Sequence, residues 1–208
     1  MSTELVGKKT VSLAKGQTVS LSKNGEKLTS IKIGSGWDPI KKIDAPKKGF
    51  FSRLISGDDE IDLDSSVILL DADGNALDVI WFNQLKSKCG SVIHHGDNRT
   101  GKGDGDDEVI SVDLLKLSSD VKAIAITLHS FQNHTFNDVE NCYCRVLDDN
   151  NKELVNFDLK ELSGEKAAFV AGLVKKGDGW EFVTVGKPSS GSTVLDALDG
   201  QAKEVLLS

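Results

Sequence analysis

The chain is poor in cysteine: three among 208 residues, an odd number that makes no disulfide framework. Cys142 and Cys144, two apart, would point to one side of a strand and read as reduced, half-buried thiols. No run approaches the roughly 20 apolar residues of a membrane span, and the opening stretch from Met1 to Lys9 has no apolar segment resembling a signal peptide. A cytoplasmic protein is therefore expected. Basic residues are outnumbered by acidic ones, 25 to 32. With a net charge of -7, the chain is not expected to bind nucleic acid over a broad face, because phosphate contact needs clustered Lys and Arg. Common catalytic and metal patterns are missing as well. There is no Gly-x-Ser-x-Gly elbow, and His94, His95, His129 and His134 show no zinc-ligand spacing. His94 and His95 are adjacent, so in a strand they face opposite ways. An enzyme is not expected.

Acid is what the sequence concentrates. From Gly96 to Glu108 the chain carries Asp97, Asp104, Asp106, Asp107 and Glu108, with Gly101, Gly103 and Gly105 between them. Crowded carboxylates repel one another, and ordering them is costly unless a cation sits among them. Calcium takes about 6–8 oxygen ligands in flexible geometry, including backbone carbonyls that glycines such as Gly101 and Gly103 can turn inward. The other reading is a solvated acidic turn without a ligand, since Gly and Asp are ordinary turn residues. An EF-hand does not fit: counted from Asp97, Glu108 holds the twelfth place, but Arg99 and Lys102 occupy the third and sixth. The flanks, Gly90 to His95 and Val109 to Leu114, are rich in β-branched residues, so the loop joins strands. It is no phosphate cradle either, because Gly101-Lys-Gly lacks P-loop spacing and the acids would repel an anion.

Elsewhere the pattern is one of short strands and turns. Thr10-Val-Ser-Leu and Thr18-Val-Ser-Leu read as two extended pieces, and Ser30 to Gly34 as a half-buried strand ended by Gly36-Trp-Asp-Pro39. Residues 40–60 form a variable insertion in which Lys41, Lys42, Lys47, Lys48 and Arg53 surround Phe50-Phe51. It reads either as a surface loop or, through 41–53, as a peripheral contact with a membrane or anionic partner. Ile61-Asp-Leu-Asp starts a strand on which Asp62 and Asp64 share a face, while Asp71-Ala-Asp-Gly-Asn75 is a hairpin turn. The spacing predicts an all-β fold, a sandwich of two antiparallel sheets with short helices, over residues 1–191. Residues 192–208 are expected as a C-terminal helix capped by Ser192, packed on the domain or on a partner. Its Val194, Leu195, Leu198, Ala202, Val205 and Leu206 fall near one face.

The acidic loop, taken whole from Gly96 to Glu108, closely resembles the signature of the TerD family of tellurite-resistance and stress proteins. Gly36-Trp-Asp-Pro, Ile61-Asp-Leu-Asp, Trp81-Phe-Asn-Gln-Leu and Phe136-Asn-Asp-Val-Glu-Asn extend the likeness over nearly the whole chain, which is most similar to the TerZ branch. The resemblance implies a β-sandwich binding calcium at one end, in cytoplasmic proteins of bacterial stress operons, with no established catalysis. On that basis the metal ligands are expected among Asp38, Asp62, Asp64, Asp97, Gly101, Gly103, Asp104, Asp106, Asp107 and Glu108, enough for two adjacent ions, with Asn98 and Thr100 bracing the loop. Other stress-operon proteins are the expected partners. A competing function is thiol-dependent detoxification or reduction of an oxyanion through Cys89, Cys142 or Cys144.

Overall fold

The computed structural model describes residues 3–4, 11–23, 26–40, 61–101, 105–130, 134–159, 162, 164–191, 193–198 and 200–207. The insertion with its expected contact segment 41–53, the candidate ligands Gly103 and Asp104, and the cap expected at Ser192 lie outside the described residues.

In chain order the strands are β1 (Thr3–Glu4), β2 (Val11–Leu13), β3 (Thr18–Lys23), β4 (Glu26–Lys27), β5 (Ser30–Pro39), β6 (Leu63–Leu70) and β7 (Ala76–Ile80). They continue as β8 (Val92–His94), β9 (Glu108–Asp113), β10 (Ala123–Ser130), β11 (Val139–Leu147), β12 (Glu153–Asp158), β13 (Ala167–Lys176) and β14 (Gly179–Ser189). One sheet runs β1-β3-β14-β13-β10-β6-β7, with β4 added on β3; the other runs β2-β12-β11-β5-β9-β8. All pairs are antiparallel except β1 with β3 and β2 with β12. This is the expected sandwich of two sheets.

Two apolar layers explain the strand patterns. Between the sheets lies the main core, with Ile31, Ile33, Val67, Leu69, Ile110, Ile124, Ile126, Val146 and Phe182 among its residues. A second layer lies outside the first sheet, where Ile68, Leu70, Ala123, Ala125 and Phe169 are covered by Val194, Leu198, Ala202 and Leu206 of the tail. Strands β6 and β10 are therefore buried along their whole length, and apart from the paired Asp64 and His129 their residues are apolar or small on both faces. Strand β9 has one face open to solvent and alternates buried with half-buried residues.

The two Thr-Val-Ser-Leu pieces are extended as expected, β2 in one sheet and β3 in the other. Two local expectations change. Strand β5 does not stop at Gly34 but runs to Pro39, whose register partner is Val139; proline is tolerated there because it is the last residue of the strand. The tail is a 3-10 turn at Asp196–Leu198 followed by a short helix, α1 (Ala202–Leu207), and Leu195 is exposed. Gly200, a poor helix former, lies between the two pieces. The tail packs on the domain itself. Asp71 is the turn former it was read as, its Oδ1 accepting from the amides of Asp73 and Asn75. Among the described residues no helix is long and apolar enough to cross a membrane.

Candidate metal centre

The far end of β5, the residues leading into β6 and the loop joining β8 to β9 are tied together by Trp37. Its backbone N–H donates to Asp107 Oδ2 at 2.9 Å, and its buried indole Nε1 donates to the Ile61 carbonyl at 2.8 Å. Gly101 lies against the same ring with φ +56°, so both the contact and the backbone conformation exclude a side chain there. The loop is braced internally as expected: Asn98 Nδ2 donates to Asp107 Oδ1 at 2.7 Å, and Asn98 Oδ1 accepts from the Thr100 amide and hydroxyl.

This frame brings three of the candidate ligands together. One carboxylate oxygen from each of Asp62, Asp64 and Asp97 lies within 4.8 Å of the other two. Asp62 and Asp64 are buried and Asp97 is exposed, so the cluster is open on one side. Burial pushes the Asp64 carboxyl up to about 8, and the negative charges of Asp62, Glu108 and Asp97 push the same way, with Arg99 opposing them. Arg99 gives little relief: its Nε is 3.9 Å from Asp62 Oδ2, and its side chain is largely exposed.

Glu108 stands behind the triad, buried. Its Oε2 accepts from both the amide and the hydroxyl of Ser65, each at 2.6 Å. His94 is buried beside it, with Nε2 at 3.6 Å from Oε2. The Gly96 amide donates to His94 Nδ1, which leaves Nε2 to donate to the Ser65 carbonyl at 3.3 Å. Two buried oxygens, Asp64 Oδ2 and Glu108 Oε1, have no hydrogen-bond partner among the described residues. Buried acceptors in that state call for a cation or ordered water.

The remaining candidate ligands have other partners. Asp106 is bound by Arg145 Nε at 2.7 Å and by the Tyr143 hydroxyl at 3.0 Å. Asp107 takes its bonds from Trp37 and Asn98, and its carboxyl is raised by desolvation, with the charges of Asp38, Glu108 and Asp106 adding to the effect. Asp38 Oδ2 accepts from Asn141 Nδ2 at 2.8 Å. Trp37, Ser65, Tyr143 and Arg145 were not singled out as site residues by sequence reasoning. Gly34 and Gly36 inside a strand were the available signal for the last two, since glycine in a strand marks close approach of another group.

The triad suits a hard cation. Its donors are all oxygen, with no imidazole or thiolate among them, and Asp64 Oδ2 is buried without a hydrogen-bond partner among the described residues. The thiols differ in kind. Cys142 and Cys144 are buried, and desolvation raises both, Cys144 to about 12. Cys89 is exposed; the desolvation that would raise its thiol is outweighed by hydrogen bonds from Ser91 and Ser87, which hold it below the usual range.

A β-sandwich presenting an all-oxygen acidic cluster at one end is the class that the fold and site define. The TerD domain model matches residues 9–198, and the chain belongs to the TerD family. It is 45% identical over 186 residues to the tellurium resistance protein TerZ of Serratia marcescens, covering 89% of this chain and 94% of that one. General stress protein 16U of Bacillus subtilis (strain 168) is 37% identical over 199 residues, covering 91% of this chain and 96% of the relative. The solved structure of a homologue of telluride resistance protein (TerD) from Streptomyces coelicolor A3(2) superposes with a TM-score of 0.64 at 24% identity, covering 82% of this chain and 95% of that one. That last likeness supports the fold.

Proposed function

We propose that the chain is a calcium-binding scaffold of the stress response, acting in the cytoplasm with other stress-operon proteins and contributing to tellurium resistance by binding rather than catalysis. The observation that carries this reading is the buried Asp64 Oδ2, without a hydrogen-bond partner among the described residues, beside the carboxylates of Asp62 and Asp97. Asp62, Asp64 and Asp97 would hold the ion, and Glu108 adds negative charge that also acts on Asp64. A bound dication supplies the positive charge that lets these groups stay ionised and close together. Oxygen donors and an open side favour calcium over zinc or copper. The second adjacent ion expected from the sequence would draw on Asp38, Asp106 and Asp107, whose oxygens are engaged by Asn141, Tyr143, Arg145, Trp37 and Asn98. The first ion is therefore the better supported. Equilibrium dialysis against calcium tests the reading: Asp64→Asn with Asp97→Asn is expected to abolish binding that the unaltered chain shows, and retained binding in that pair would refute the ligand assignment.

The competing thiol reading narrows to Cys89, because the burial of Cys142 and Cys144 keeps their thiols protonated and out of reach of an oxyanion.

A further inference from the structure

We propose that Tyr143 and Arg145 are positioning residues for the cation site: working from the solvent face of the opposite sheet, they hold the acidic loop in the register that brings Asp97 to Asp62 and Asp64. The inference rests on the cation reading above, and concerns two residues on β11 that lie outside the carboxylate cluster.

Tyr143 and Arg145 are two apart, so they share a face of β11, and Cys144 between them points into the core. Their register partners on β5 are Gly36 and Gly34. Both glycines are occupied from above. A Cβ on Gly34 would collide with the Asp106 carboxylate, and one on Gly36 with the Tyr143 ring. The bare track on β5 is thus filled by an acid from the loop and by the ring that binds it. The Tyr143 hydroxyl donates toward the Gly105 carbonyl at 2.8 Å and Asp106 Oδ1 at 3.0 Å. Arg145 Nε donates to the same oxygen at 2.7 Å, while its Nη1 is held by Glu153 at 2.9 Å. With the Asp106 side chain only 9% exposed, this pair is shielded from solvent screening.

The effect reaches the triad by a short path. Asp107 follows Asp106; its amide donates to the Ser35 carbonyl, and its carboxylate holds Asn98, the neighbour of Asp97. Glu108 comes next and turns inward to Ser65. Successive residues therefore pin the loop on both faces of one sheet, Asp106 outside and Glu108 inside. Loss of the outer pin frees the stem that sets where Asp97 and Glu108 stand relative to Asp64.

Two measurements on the full chain test this. In calorimetric titration with calcium, Tyr143→Phe combined with Arg145→Gln is expected to weaken affinity about tenfold, on the scale of one hydrogen bond to a charged group, without changing the number of ions bound. Arg145→Lys should fall between that variant and the unaltered chain. Glu153→Gln, which removes the other Arg145 partner without touching the loop, should leave affinity unchanged. Amide hydrogen exchange in chelator gives the second readout, independent of any ion: the Asp107 amide should exchange about tenfold faster in the double variant, while Ile110 in β9 keeps its protection. Unchanged affinity beside a calcium-binding parent, or unchanged exchange at Asp107, overturns the proposal. Failure of the parent chain to bind calcium would instead count against the cation reading, and the exchange data would still decide the positioning role.

Discussion

Trp37 donates its indole N–H to the carbonyl of Ile61, the residue immediately before Asp62, at 2.8 Å and with the tryptophan only 2% exposed. One strand of the six-stranded sheet thereby fixes where the first acid of the triad enters the other sheet. Replacing Trp37 with Phe leaves a buried carbonyl without its donor, and an unsatisfied group of that kind costs about 1–3 kcal/mol. Urea unfolding should show a loss of that size, together with weaker calcium binding. A variant as stable as its parent would remove Trp37 from its role as the tie between the two sheets.

Asp64 gives a pH dependence with a defined sign. Its carboxyl, ordinarily at 3.8, is raised to about 8 by burial and by its acidic neighbours, so in the ion-free protein the folded state binds a proton more tightly than the unfolded chain. Stability contributed by that proton is fully present below the ordinary value and is lost as pH rises through the window up to about 8. Melting temperature in chelator should therefore carry a falling contribution across that window, and Asp64→Asn should remove it. Calcium should oppose the fall in the unaltered chain. Identical profiles for parent and Asp64→Asn would contradict the assignment.

The thiols should separate in a simple reactivity assay. Cys89 is exposed with a lowered thiol, whereas Cys142 and Cys144 are buried and raised. A disulfide reagent should label the native chain at Cys89 alone and reach all three cysteines in denaturant. Fast labelling of Cys142 or Cys144 in the native protein would restore the wider thiol hypothesis.

Packing of the tail on the domain has its own test. Leu206 is 3% exposed in the apolar layer outside the first sheet. Leu206→Ala should cost roughly 2–3 kcal/mol, toward the low end for a buried leucine because α1 lies at the end of the described chain. Calcium affinity should not change. A loss near zero would mean that this layer contributes little to the fold.

Much of the architecture is legible in the sequence because a sandwich writes a period of two into each strand with one solvated face, and turn residues punctuate the rest. The alternation also pairs Asp62 with Asp64, and their carboxylates do lie close, although β6 begins only at Leu63 and Asp62 stands just before it. The pattern misleads where glycine and proline read as terminators: Gly36 and Pro39 mark an end to β5 in the sequence, yet Gly36 leaves room for the Tyr143 ring and Pro39 closes the last pair of the ladder. The division of labour within the acidic loop was also hidden. Asp97, Asp106 and Asp107 are chemically alike in sequence, and only long-range partners distinguish them. Arg145 reaches Asp106 across 39 positions and Trp37 reaches Asp107 across 70, distances over which local periodicity carries no information.

The central claim is that the acidic end of the sandwich is built around a dication. Calorimetric titration of chelator-stripped protein with calcium, followed by a melt of the same sample, tests it most directly. The account predicts saturable heat corresponding to at least one ion per chain and a higher melting temperature with calcium present. No heat, with a melting temperature indifferent to calcium, would contradict it.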